Sequence, residues 1–434
     1  MRAAIYSLGK GGMRLMNRYD VVIIGGGPAG LSAAKAASSE GACVLLTERE
    51  QRLGGILKQC IHDGFGLIKY GEKLSGSEYA SREIHALDDL DIDIRKLTFV
   101  SKITKHENTP YCFTIDLVSA SGVETVAAKT IVLATGCRER TAKQIEIHGT
   151  RPAGVITAGS AQYYLNIMGQ MPGKNCVILG SGDIGLIMAR RLTIEGANVL
   201  GVYEAKSTPS GLRRNIYQCL DDYNIPLHLS KTVSKVHGKN RVEGVTIVDV
   251  DEQMKPVDGT EEYVPCDTLV LSVGLIPENE LAESLGVEIS QFTKGPVCDE
   301  NYMTSVKGVF SCGNALHVND LADYVSESGY AAGKAAANFI NDSNDFSAEV
   351  KFSEDFLYAV PQRISSPDAN LTLYFRSRYE RGKTRLTVKS KDGVILTKHY
   401  HDLRPPEMEK LNFNISDAGL SSGDYIELIM EREY

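Results

Sequence analysis

The chain has 434 residues, 43% of them hydrophobic and 24% charged, with a formal net charge of −8. That is enough length for two or three domains, each with its own core. The acidic balance leaves no basic footprint for nucleic acid, and no apolar run reaches the roughly 18–20 residues that span a bilayer.

Nine cysteines, none spaced as C-x-x-C, argue against a disulfide framework, a zinc knuckle or an iron–sulfur cluster. No metal is expected, and the cytoplasm is the default compartment. Residues 1–15 carry basic charge without an apolar stretch or cleavage site, so no secretory signal is read. Lys10-Gly11-Gly12 reads like a translated purine-rich ribosome-binding sequence, and the natural chain is expected to start at Met16.

In chain order, residues 19–24 form a β-branched apolar run ending in Gly25-Gly26-Gly27-Pro28-Ala29-Gly30. A helix of small residues follows, then a strand over 43–47 closed by Glu48. Strand, G-x-G-x-x-G, helix, strand and terminal acid make a complete βαβ dinucleotide unit. Gly25 permits the sharp turn, Gly27 lets the backbone touch a pyrophosphate, and Gly30 lets the helix pack on the strand. Pro28 and Ala29 open the helix, whose first N–H groups and positive dipole end face the phosphates. Glu48 is the expected acceptor for ribose hydroxyls. A structural glycine turn is the plain alternative, and the second strand and the acid argue against it.

A strand over 130–133 then ends in Ala134-Thr135-Gly136. Beyond it the βαβ pattern occurs a second time. Residues 176–179 are a strand, Gly180-Ser181-Gly182-Asp183-Ile184-Gly185 the turn, 186–195 the helix, and 199–203 a strand ended by Glu204. A carboxylate there accepts from ribose hydroxyls and repels a 2′-phosphate, so NADH is expected over NADPH, softened by Lys206 and Arg213-Arg214. Arg138 and Arg140 could meet phosphate or serve as surface ion-pair partners. Two further strands end in Gly274 and in Gly313-Asn314, and an alanine-rich helix is predicted over 321–340.

This set of motifs, in this order, resembles the two-dinucleotide-binding-domain flavoproteins, the superfamily of thioredoxin reductase and other pyridine nucleotide oxidoreductases. The resemblance covers about residues 19–342. It implies an α/β fold of two Rossmann-like domains: a discontinuous FAD domain, 17–145 plus 270–342, and an NAD domain, 146–269. The first turn, Gly55, Ala134-Thr135-Gly136 and Gly313-Asn314 would then serve FAD, and the second turn, Glu204 and Gly274 the pyridine nucleotide. Asn314 stands where the family has an acid, and offers an uncharged carbonyl oxygen in its place. The helix after Leu321 would aim its positive end at the flavin pyrimidine ring.

Residues 346–434 lie outside the resemblance. Strand-like runs separated by turn signals, with Lys391-Asp392-Gly393 as a hairpin turn, predict a small antiparallel β domain of four to six strands. It lacks the His-Pro dipeptide of the glutathione-reductase dimerisation domain, and a docking module is expected.

The segment Leu53-Gly54-Gly55-Ile56-Leu57-Lys58-Gln59-Cys60-Ile61-His62 holds one cysteine, and 156–174 holds none, so a self-contained dithiol reductase is not expected. Cys60 and His62 are the candidate catalytic residues, against packing and structural hydrogen bonding as the plain alternatives. Residues 53–66, LGGILKQCIHDGFG, resemble bacterial FAD-dependent oxidoreductases related to the α subunits of sarcosine oxidase and amino-acid dehydrogenase, often found beside glycerol-3-phosphate-dehydrogenase-type flavoproteins. That resemblance implies electron transfer between NAD(H) and a partner dehydrogenase or small redox protein through FAD, in an oligomer. A stand-alone NAD(P)H oxidase or reductase, and a non-catalytic redox sensor, are the alternatives.

Overall fold

The computed structural model describes residues 5–6, 15–107, 109–339 and 346–433. The expected start at Met16 concerns a leader almost wholly outside these residues. Contacts divide the chain into two compact units, Met1–Cys137 with Pro277–Tyr434, and Arg138–Ile276. The crossings fall at 137/138 and 276/277, where the sequence placed them at 145/146 and 269/270. The reason is packing: Ala142, Ile145, Ile147 and Val273 all lie on the core of the second unit, against residues such as Val177, Leu179 and Leu271.

In the first unit, strand Arg18–Ile24 sits between Val44–Thr47 and the long strand Gly122–Leu133. Ile92–Arg95 extends the parallel side beyond Val44–Thr47, and Val309–Ser311 pairs parallel with the end of Gly122–Leu133. Phe113–Ser119 and Phe99–Lys105 continue the sheet antiparallel. Val44–Thr47, Val309–Ser311 and the last four residues of Arg18–Ile24 and of Gly122–Leu133 are buried throughout and largely apolar because both faces are covered.

Helices Pro28–Ser39 and Ala322–Ala337 pack on one face, and on each other at backbone distance. A Cβ on Gly329 would lie 2.1 Å from Ala29 O, and one on Gly333 2.2 Å from Ala33 O. Only glycine permits that approach, which packs the first two turns of helix Pro28–Ser39 against the middle and the C-terminal half of helix Ala322–Ala337.

The C-terminal module is a five-stranded sheet and a three-stranded sheet enclosing a core that includes Phe356, Leu373, Phe375, Leu386, Val388 and Leu428. Its pairings are antiparallel except for Ala348–Phe352 with Tyr425–Arg432. The expected hairpin is present, with Ser390 opposite Gly393. The module shares a core with the nucleotide-binding fold, however. Tyr358 and Val360 are buried in the core of the nucleotide-binding fold, in one cluster with Cys298, Tyr302, Phe310 and Leu316.

The second unit has a five-stranded parallel sheet in the order Val155–Thr157, Thr268–Leu271, Asn175–Leu179, Asn198–Glu204, Leu227–Leu229. Helices Ala158–Asn166 and Asp183–Ile194 cover one face. A four-stranded sheet built on Lys231–His237 and Gly244–Asp249 covers the other.

Candidate functional site

The first glycine turn lies where strand Arg18–Ile24 meets helix Pro28–Ser39. Gly25 has φ +111°, and a Cβ there would stand 2.3 Å from Ala134 O; a Cβ on Gly30 would stand 1.8 Å from Gly25 O. Gly27 differs: its Cβ would meet only the Gly55 Cα, at 3.8 Å. The helix that begins here has no capping side chain and no acid in its first turn. Unspent N–H donors, positive dipole and an open glycine face together fit a dinucleotide phosphate. Glu48, 8% exposed, closes the turn from the side: Oε2 accepts from Gly26 N at 2.7 Å and Oε1 from Glu50 N at 2.8 Å.

Three segments converge on this turn. Ala134-Thr135-Gly136 follows the central strand, with Thr135 Oγ1 donating to Glu278 O at 2.7 Å. Gly313 presses on Ala29, since a Cβ there would stand 2.8 Å from the alanine Cβ, and its N–H donates to Ser328 Oγ at 2.9 Å. Gly54 N donates to Gly26 O at 2.8 Å, which brings Gly55 against Gly27. From Gly55 the chain runs on as a strap to Lys69.

Cys60 is buried in that strap, its Sγ 3.4 Å from Ile56 O, with Gly76 packed against it. His62 is half-buried, with Nδ1 3.1 Å from Asp63 O and its ring 5.1 Å from Phe65.

Asp323 is a residue the sequence reading missed. It is buried in the first turn of helix Ala322–Ala337 and accepts from Gly66 N at 3.2 Å and Lys69 N at 2.9 Å. The positive end of that helix is therefore partly answered by its own acid. Beside it, buried Glu83 accepts from Ser32 Oγ at 2.8 Å and from Tyr70, and pairs with Lys69 at 2.6 Å. Asp323 looked like an ordinary helix-start acid in sequence, with nothing local to link it to residues 66–69.

The second turn repeats the first. Gly180 has φ +95° beneath Ser272 O, and Ser272 Oγ accepts from Gly185 N at 3.0 Å. Glu204, 6% exposed, accepts from Ser181 N at 3.0 Å and Ser181 Oγ at 2.6 Å on one oxygen, and from Lys206 N at 3.1 Å on the other. Asp183 and Ile184 open helix Asp183–Ile194. Asp183 is turned to the following loop, accepting from Leu212 N at 2.9 Å and Asn215 Nδ2 at 2.7 Å. Arg213 and Arg214 are exposed at the start of the next helix, and Gly274 O accepts from Arg140 N at 3.1 Å. Glu139 accepts from Gly159 N with both oxygens, at 2.9 and 3.0 Å, and so caps helix Ala158–Asn166.

No disulfide joins any of the nine cysteines. Burial pushes the Cys176 and Cys312 thiols up to about 12 and Cys266 to about 11, which keeps them protonated near neutral pH.

Residues 19–336 match the family described as pyridine nucleotide-disulphide oxidoreductase. The chain belongs to this family. Its members use FAD and NAD(P)H, and the chain spans 62% of the length of the first curated relative it matches. It is 27% identical over 320 residues to the A subunit of opine oxidase from Agrobacterium tumefaciens (strain Ach5), covering 70% of this chain and 62% of that one. It is 25% identical to the HcnB subunit of hydrogen cyanide synthase from Pseudomonas protegens, over 73% of this chain and 67% of that one. The fold is that of the T. acidophilum thioredoxin reductase crystal structure, with TM-score 0.59 and 24% identity over 74% of this chain and 98% of that one. The likeness to the alpha subunit of sarcosine oxidase from Corynebacterium sp. (strain P-1) is partial, covering 44% of this chain and 20% of that protein. Among the described residues no helix is long and apolar enough to cross a membrane.

Proposed function

We propose that this oxidoreductase passes electrons between NAD(H) and a partner dehydrogenase or small redox acceptor by way of FAD. The observation that carries the reading is the duplicated turn. In each unit a buried carboxylate, Glu48 or Glu204, is pinned to its own glycine turn by a backbone N–H, so two nucleotides can be held by one chain. FAD supplies hydride acceptance and the release of electrons singly or in pairs.

In this reading Gly25, Gly27, Pro28, Ala29 and Gly30 receive the FAD pyrophosphate, and Glu48 orients the ribose. Gly55, Ala134-Thr135-Gly136 and Gly313-Asn314 line the remainder of the cofactor. Gly180, Gly182, Asp183, Ile184, Gly185, Glu204 and Gly274 do the same for the nicotinamide nucleotide, with NADH preferred because Glu204 repels a 2′-phosphate. A partner is supported by relatives that are named as subunits of an oxidase and a synthase. It would dock on the C-terminal module, where Tyr379, Val394 and Tyr425 stand exposed.

The test is to mix the protein with NADH under anaerobic conditions and follow flavin absorbance, then to screen acceptors with and without co-purifying proteins. Fast bleaching with slow re-oxidation until a co-purifying protein is added supports the reading. No bleaching would leave a nucleotide-binding sensor, and full turnover with a small acceptor alone would leave a stand-alone reductase.

A further inference from the structure

The turn after Gly313 is held from outside the nucleotide-binding fold. Arg376, on the module strand Asn370–Ser377, has 13% of its side chain exposed. Its guanidinium pairs with the Asp320 carboxylate and donates to Val318 O at 3.4 Å, to the Tyr358 hydroxyl at 2.9 Å and to Pro406 O. Met408 N donates to the other Asp320 oxygen at 2.6 Å. Val318 and Asp320 are both fixed in this way, and Asn319 lies between them.

Asn319 in turn donates to Asn314 Oδ1, through its backbone N–H at 3.0 Å and its side chain at 3.3 Å. A backbone N–H can only donate, so the atom facing it is the carboxamide oxygen. The NH2 end of Asn314 is thereby turned the other way, 3.6 Å from Cys137 Sγ at the end of the Ala134-Thr135-Gly136 segment.

We propose that Arg376 is a positioning residue for the FAD site: it clamps residues 318–320 from the C-terminal module, holds Asn319 against Asn314, and so sets Asn314 to present a hydrogen-bond donor. This rests on the assignment of the Gly313-Asn314 turn to FAD. Aromatic rings and a second ion pair surround the clamp. His317, 1% exposed, has its ring 5.8 Å from Tyr358 and 5.5 Å from Tyr374. Lys410 pairs with Glu327 one helical turn beyond Asp323. A short planar fork with several acceptors loses little entropy per bond, which suits arginine to this position and not lysine.

The experiment compares FAD dissociation constants of the full-length protein, by flavin fluorescence, with visible circular dichroism of the bound flavin. The variants are Arg376→Gln, Asn319→Ala, the two together, and Arg381→Gln. Arg381 pairs with Asp355 wholly within the module and reports general destabilisation. Arg376→Gln and Asn319→Ala are each expected to weaken FAD at least tenfold and to change the dichroism, and the double variant to lose no more than the larger single one. Arg381→Gln should bind FAD within twofold of wild type.

A folded Arg376→Gln with wild-type affinity and dichroism overturns the clamp, as does a double variant whose losses multiply, or an Arg381→Gln with the same loss. If Arg376→Gln fails to fold, the isosteric Asp320→Asn takes its place under the same criteria. Wild-type protein that takes up no FAD would overturn the FAD assignment together with the clamp.

Discussion

Glu204 sits in a pocket of three donors, Ser181 N, Ser181 Oγ and Lys206 N, divided between its two oxygens. Glu204→Gln removes the charge, and also leaves one backbone N–H facing an NH2 group. Two effects are expected. The ratio of kcat/KM for NADH over NADPH should fall by about tenfold or more, a change of about 1.4 kcal/mol, measured by flavin reduction. The second unit should lose about 1–3 kcal/mol for the unsatisfied donor, measured by denaturant unfolding. An unchanged ratio would assign nucleotide choice to Lys206 and Arg213-Arg214.

A second residue gives a pH signature. Burial, and then the neighbouring Glu300, raise Asp299 to about 6. In the unfolded chain it ionises near its ordinary 3.8, so between these values the folded state holds more protons. Stability contributed by the neutral form is full below about 4 and is lost as pH rises toward about 6. The penalty above that is on the order of 3 kcal/mol. Asp299→Asn should therefore gain on wild type as pH rises from about 4 to 6, then hold a constant difference. A difference independent of pH would mean that the folded carboxyl is not shifted. His317 changes wild type and variant alike, because burial first and the Arg376 charge second lower it to about 3. That stability is present above about 6.5 and is lost on acidification.

Among elements, the strap from Gly55 to Lys69 holds a 3-10 turn, Gly55–Gln59, and a short strand, Asp63–Phe65, and its end depends on an acceptor supplied by a distant helix. Asp323→Ala removes the acceptor of Gly66 N and Lys69 N. It should speed amide hydrogen exchange over residues 64–70 at least tenfold while leaving exchange in strand Arg18–Ile24 unchanged; equal exchange would show that Glu83, Tyr70 and Lys69 suffice. Cys60→Ser should keep bound FAD and reduction by NADH within about tenfold, since the residue packs on Gly76 through its Cβ and its thiol meets a carbonyl. A loss of several hundredfold with FAD retained would make Cys60 a redox participant.

The two glycine turns were legible in sequence because each signal lies within one βαβ unit: a glycine, a helix start and an acid ending the next strand. Asp323, Ser272 and Asp320 were not legible. Their partners lie far away in sequence, and nothing in their own neighbourhoods marks them as different from ordinary polar loop residues.

For the molecule as a whole, the decisive feature is how the C-terminal module is mounted. Its strands were largely visible from alternation and turn residues, and its internal core is ample. Its attachment was invisible, because Tyr358 meets the nucleotide-binding core through packing that local periodicity does not encode. Prolines at 361 and 367 are what a linker would carry, yet Val360, one residue before the first of them, is 1% exposed in the core shared with Phe310 and Leu316. Ending the chain at residue 345 would remove Tyr358 and Val360, uncover Cys298, Tyr302 and Phe310, and strip Asp320 of Arg376 and Met408. Each buried side chain of this size contributes roughly 1.5–3 kcal/mol, and a folded unit has only about 5–15 kcal/mol in all. The truncated chain is therefore expected to aggregate or to unfold at least 10 °C lower, and to purify with little or no FAD. Absorbance at 450 nm per chain and a thermal melt measure both. A soluble, fully yellow 1–345 chain with the wild-type melting temperature would show that the nucleotide-binding fold closes without the module, and would leave the module a docking element only.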